Sequence, residues 1–139
     1  MTEKASDHLK LVRIHSFDLI PRYLLDQVKG RSWTPNKLYE WGEILGSQPS
    51  QLIYAMITPE KEIKGAVWAS VNPVVDGIFL NFISVDREYQ DGIVLEKVTG
   101  TLKQTATDLG LSSVYALTTR PKGATRKGWS RTGQEMMEV

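Results

Sequence analysis

The chain has 139 residues, 41% of them hydrophobic, with 17 Lys and Arg against 16 Asp and Glu and no cysteine. That length and apolar content suit a single domain with its own core, spanning residues 1–139. Near-neutral charge excludes a global field for nucleic acid, and the missing cysteine excludes disulfides, thiolate nucleophiles and thiolate metal sites.

No run approaches the roughly 20 apolar residues of a membrane helix. The opening MTEKASDHLK has acids and no apolar stretch behind its lysine, so a signal peptide is not expected there. The expected setting is the cytoplasm, with no membrane. Two histidines without helical metal spacing leave no zinc pattern, and GATRKG lacks the Lys-Ser/Thr pair of a phosphate-binding Walker loop.

In chain order, LKLVRI (Leu9 to Ile14) alternates as a short strand. FDLIPRYLLDQV follows, with Phe17, Ile20, Leu24 and Val28 on one helical face, Ser16 as a cap and Pro21 in the first turn. A second helix starts at Thr34 and Pro35, buries Leu38, Trp41 and Leu45, and ends at Gly46. QLIYAMI and IKGAVWASV form a hairpin around TPEKE, and GIFLNFISV, apolar on both faces, is a central strand.

The next helix is capped by Asp91 and carries the stripe Val94, Val98, Leu102, Ala106 and Leu109 to a C-cap at Gly110. Gly100 inside it suggests close packing, at about 1 kcal/mol against alanine. SSVYALTT is a further strand, and ATRKGWSRTG a short basic helix. The fold class expected is therefore α/β, a three-layer mixed sheet of order β-α-α-β-β-β-α-β-α, with parallel neighbours across residues 78–119.

The corner YQDGIVLEK, Tyr89 to Lys97, lies between a strand and a helix, where a phosphate-binding turn belongs. Element order and this corner resemble the GCN5-related N-acetyltransferase family, in which it grips the pyrophosphate of acetyl-coenzyme A. The family pattern is Arg or Gln, two residues, Gly, one residue, then Gly or Ala. With Gly92 as the first glycine, Tyr89 stands at the Arg/Gln position and Val94 at the Gly/Ala position, while Gln90 fits if the loop is one residue shorter. The resemblance implies acetyl-coenzyme A as cofactor, the Val85 backbone near the acetyl group, and the Gly92, Ile93 and Val94 amides near the pyrophosphate.

The run PKGATRKGWSRTGQE is similar to the family's last helix, with Gly133 at its glycine and Gln134 in place of the usual aromatic. Trp129 then stands where the family's tyrosine general acid belongs, and an indole N–H does not ionise near neutrality. The strand Gly77 to Val85 offers Asn81 and Ser84 but no carboxylate as a base. His8 and His15 read as surface and loop residues, and Glu40 and Glu43 lie on the helix whose acids approach the amine in relatives. The basic run Arg120, Lys122, Arg126, Lys127 and Arg131 is a solvated face or faces the 3′-phosphate of coenzyme A, a nucleic-acid backbone or an acidic partner; nucleic acid is the disfavoured choice given the near-zero net charge.

Relatives continue with two more strands where QEMMEV stands here, so an unpaired sheet edge is expected. Trp129, Val94, the missing base and the short tail favour a non-catalytic assembly or interaction role, with a protein partner or homo-oligomer. Degenerate members of the family also occur among bacteriophage proteins, which brings in a virion component. The other reading is an acetyl-coenzyme A-dependent N-acetyltransferase acting on a small amine.

Overall fold

The computed structural model describes residues 8–28, 34–90 and 92–116. The first strand, β1 (Lys10–Ile14), leads through a turn to a short helix, α1 (Arg22–Asp26). The helix starts later than its apolar spacing predicts. Pro21 disfavours helical backbone at Ile20, so Pro21 itself becomes the N-cap and Phe17 and Ile20 reach the core from a turn instead. Ser16 accepts from Asp18 N within that turn and caps no helix.

Helix α2 (Pro35–Ser47) begins as predicted, with the Thr34 hydroxyl accepting from Lys37 N and Pro35 in the first turn. Its inner face differs. Leu38, Gly42 and Gly46 are buried and Trp41 is 48% exposed, because the two glycines let the helix settle onto the β1–α1 turn and this rotates Trp41 outward. A Cβ on Gly46 would lie 1.6 Å from the His15 carbonyl oxygen, so Gly46 is a contact glycine inside the helix and not its end.

Strands β2 (Gln51–Ile57), β3 (Ile63–Asn72) and β4 (Gly77–Val85) follow, then α3 (Ile93–Asp108) and β5 (Ser113–Ala116). The five strands lie in the order β1-β2-β3-β4-β5. The first four are antiparallel and β5 is parallel to β4, pairing Gly77↔Ser113 through Leu80↔Ala116, as the strand-helix-strand order requires. The last predicted helix, the basic run and the QEMMEV tail lie outside the described residues.

Two apolar layers sandwich the sheet. On one face Val94, Val98, Leu102 and Ala106 of α3 pack on Tyr54, Met56, Val67, Ile78 and Leu80; on the other, Phe17, Leu24, Leu25 and Leu38 pack on Ile53, Ala55, Ala66 and Trp68. The α3 stripe stops short of Leu109, which is 55% exposed. Beyond it the chain closes the helix by Leu111 N to Ala106 O at 2.8 Å and Gly110 N to Thr107 O at 3.1 Å, with Gly110 at φ 74°. Gly100, read from the sequence as a sign of close packing, has no atom within 4 Å of an added Cβ.

A bulge in β4 sets the site. Trp68 opposes Phe82 and Ala69 opposes Leu80, so Asn81 is the extra residue. The insertion inverts the alternation: Ile78 and Leu80 face α3, yet so do Ile83 and Val85, while Phe82 and Ser84 turn to the α1 side. Both faces of GIFLNFISV are apolar because the strand changes phase in its middle.

Candidate active site

The C-terminal end of β4 runs into the corner that the sequence singles out. Asp86 accepts from Glu88 N at 3.1 Å and opens a single helical turn, Arg87–Tyr89. Gln90 folds back, its Nε2 donating to Val85 O at 2.9 Å, so its side chain closes the loop. Tyr89 is buried in the α3-side core with Val94 and Val98.

The N-cap of α3 is Gly92, not Asp91, which lies outside the described residues. Its φ of 88° is a left-handed conformation that glycine adopts without cost, and the helical ladder begins with Glu96 N donating to Gly92 O at 3.3 Å. A 16-residue helix presents the positive end of its dipole here. Val94 is only 4% exposed and its side chain lies in the core, so its bulk is directed away from the turn. Ile93 is half-buried beside it.

Latches hold the α1 side of this end. The buried Ser84 hydroxyl donates its one proton to Leu24 O, with Gln27 Oε1 3.4 Å away, so it anchors α1 and is committed as a donor. Tyr23 OH donates to Asp86 Oδ2 at 2.8 Å. Partial burial, with the Asp86 carboxylate beside it, pushes the Tyr23 phenol up to about 12. The Glu88 amide and the Tyr23 hydroxyl hold Asp86 below its usual carboxylate range.

Four residues back along β4, roughly 13 Å at strand rise, the bulge opens on a polar row. Asn81 Nδ2 donates to Ser70 Oγ, Ser70 Oγ donates to Gln51 Oε1, and Trp68 Nε1 donates to the same Gln51 Oε1, each at 2.8 Å. Phe79 and Tyr115 pack against each other next to it, ring centroids 5.9 Å apart. A shallow depression of about 450 Å³, lined by Arg13, His15, Glu43 and Gly46 to Pro49, adjoins the row: Arg13 Nη2 donates to Gln51 O at 2.7 Å. His15 Nδ1 lies 3.2 Å from Gly46 O, at the end of α2, and Glu40 and Glu43 are exposed on that helix. Among the described residues no group of three acids and histidines is placed to hold a metal.

No protein-family model and no curated protein matches the chain. Solved structures do. The aminoglycoside 6'-N-acetyltransferase AAC(6')-Ih from Acinetobacter baumannii superposes with a TM-score of 0.72 at 15% identity, covering 94% of this chain and 97% of that one. AAC(6')-Iy in complex with a bisubstrate analog of coenzyme A gives a TM-score of 0.74 at 15% identity, over 95% and 97% of the two chains. The spermidine/spermine N-acetyltransferase SpeG from Vibrio cholerae gives 0.68 at 16% identity, over 88% and 77%. The fold is that of the GCN5-related N-acetyltransferases.

Within the N-acetyltransferase fold, Val85, Gln90, Gly92, Ile93 and Val94 are brought together at one corner, while Trp129 and Gly133 lie outside the described residues. Gln51, Ser70, Trp68 and the Tyr23–Asp86 latch were not anticipated. Asp86 carries a local sign, an acid between a strand and a helical turn. Tyr23 carries none, since its partner is 63 residues away. No helix among the described residues is long and apolar enough to cross a membrane.

Proposed function

We propose that this chain is an acetyl-coenzyme A-dependent N-acetyltransferase of a small amine. The observation that carries the reading is the β4 bulge set before a corner whose Gly92 opens a long helix, on a sheet superposing on acetyltransferases over nearly its full length. The buried orientation of Val94 favours it, since the side chain that stands at the family's Gly/Ala position lies in the core and not in the turn.

The first-turn backbone of α3 at Gly92, Ile93 and Val94 would hold the pyrophosphate by its amides and helix dipole. Gln90, spent on Val85 O, shapes this loop and contributes no charge of its own. The β4 segment from Asn81 to Val85, beyond the described pairing with β5, would hold the pantetheine arm by its main chain; the acetyl group then lies at the bulge, and Val85, which the resemblance alone puts near the acetyl group, stands nearer the phosphates. Bound acetyl-coenzyme A supplies an activated thioester; the chain supplies position and main-chain donors for the developing oxyanion. With Ser84 committed to α1 and no carboxylate on β4, the surplus amine proton passes to water. The amine then enters from the α1 side, over the polar row.

Residual support for a non-catalytic assembly role comes from Trp129, which lies outside the described residues. Calorimetry with acetyl-coenzyme A and coenzyme A decides between the readings. Saturable binding that is weakened by Gly92→Asp, together with thiol release in the presence of an aminoglycoside or spermidine, is the expected result. Absence of heat at millimolar ligand overturns the reading.

A further inference from the structure

The polar row has a fixed direction. The Trp68 indole nitrogen can only donate, so the atom of Gln51 facing it must be the carboxamide oxygen, Oε1. That oxygen also receives the Ser70 hydroxyl proton, at 2.8 Å. Ser70 Oγ, having given its one proton, can only accept from Asn81. Asn81 must therefore present its NH2 group to Ser70, and its carbonyl oxygen Oδ1 points away from the row. One indole thus decides, through two intermediaries, which end of an exposed asparagine faces outward.

The place where this happens matters. Asn81 is the bulge residue, directly after the last described β4–β5 pair, Leu80↔Ala116, and its side chain is exposed on the α1 face. No other side-chain hydrogen bond of Asn81 is formed among the described residues. Ser84, the other polar residue of β4 on this face, has its proton committed to Leu24 O.

The geometry points to Asn81 Oδ1 as the acceptor that orients the attacking amine, with Trp68, Gln51 and Ser70 as positioning residues that keep it facing outward. The inference rests on the acetyltransferase reading and names the group that reads the acceptor substrate. A carboxamide oxygen accepts one N–H of a neutral primary amine and leaves the nitrogen lone pair unengaged. A carboxylate at the same place would stabilise the ammonium form and hold back the reaction. In the step so arranged, the amine lone pair forms the C–N bond to the thioester carbon and the C–S bond breaks with its electron pair leaving on sulfur. Nitrogen loses one proton to water and the thiolate regains one, so the products are the amide and free thiol. The substrate class is a primary amine on an uncharged or hydroxyl-bearing body, since the row offers only amide and hydroxyl groups beside the Phe79–Tyr115 pair.

The test uses the full chain with kanamycin, spermidine and n-butylamine as probes. In wild type and Asn81→Ala, calorimetry with coenzyme A is expected to give the same affinity, while kcat/KM for the amine falls about tenfold, as for one lost orienting hydrogen bond. Gln51→Met, which frees Asn81 to turn over, is expected to lose rate with an unchanged KM for acetyl-coenzyme A, and Gln51→Glu, which still accepts from Trp68 and Ser70, to restore it. Asn81→Asp should move the acidic limb of the rate profile to higher pH. Independently of turnover, the side-chain amide NMR signal of Asn81, assigned by its loss in Asn81→Ala, should shift on adding an amine that is acetylated. Loss of coenzyme A binding in wild type would sink the acetyltransferase reading. Binding retained with an Asn81→Ala rate equal to wild type, or an Asn81 signal unmoved by every amine, overturns the assignment of Asn81 alone.

Discussion

Two glycines show how differently one residue type is used. Gly46 faces the His15 carbonyl so closely that an added methyl must displace backbone. Gly46→Ala is expected to cost about 2 kcal/mol by overpacking, read as a lower denaturation midpoint at unchanged slope. Gly100 faces open space, and Gly100→Ala should raise stability by up to about 1 kcal/mol through helix propensity alone. The Tyr23–Asp86 latch responds to pH at both ends. Asp86 is depressed when folded, so its contribution is present above its ordinary value of 3.8 and is lost as pH falls below that. Tyr23 is raised from 10.0 to about 12, so the folded state keeps a proton that the unfolded chain releases, and stability falls as pH rises across that interval. Urea titrations of wild type and Tyr23→Phe should differ in slope against pH above 10, and a matching profile in the two would remove the latch from the account.

At the scale of elements, α3 joins the core to the corner. Its stripe of Val94, Val98, Leu102 and Ala106 is buried to 4% exposure or less, so the helix cannot slide or rotate without exposing it. Leu102→Asp should unfold the domain, because a carboxylate would replace a fully buried leucine with no partner; a loss on the order of 4 kcal/mol or more is expected by circular dichroism under denaturant. Gly92→Asp acts at the other end of the chain of effects. A side chain at φ 88° is strained by roughly 1 kcal/mol, and its charge opposes an anion at the helix start. A modest fall in stability with a larger fall in coenzyme A affinity is the expected pair of results.

At the scale of the whole molecule, the two faces of the sheet divide the work. The α3 face carries the larger core and ends at the corner; the α1 face is covered by aromatic packing of Phe17, Trp68 and Phe82 and then gives way to the polar row. A ligand held by the corner and by β4 binds only the folded chain. Coenzyme A at about 100 times its dissociation constant should therefore add roughly 2.7 kcal/mol of stability. A thermal midpoint unmoved by saturating coenzyme A would separate the fold from the function proposed for it.

Element order, the strands Gln51–Ile57 and Gly77–Val85, the Thr34 cap and the α3 stripe were legible in the sequence, because each rests on short-range periodicity or on local hydrogen bonding. So was the corner at Gly92, a glycine between a strand and a striped helix. What the sequence left undetermined was every feature set by residues distant in the chain. The phase change at Asn81 depends on how β3 pairs on either side of it, and alternation within GIFLNFISV reads equally well in either phase. Trp41 reads as core by spacing, and only the approach of Gly46 to His15 turns it outward. The direction of the Trp68–Gln51–Ser70–Asn81 chain joins three strands, so it exists only once the sheet has formed. Local propensity chose the elements; pairing across the sheet chose which polar atoms of the row face outward.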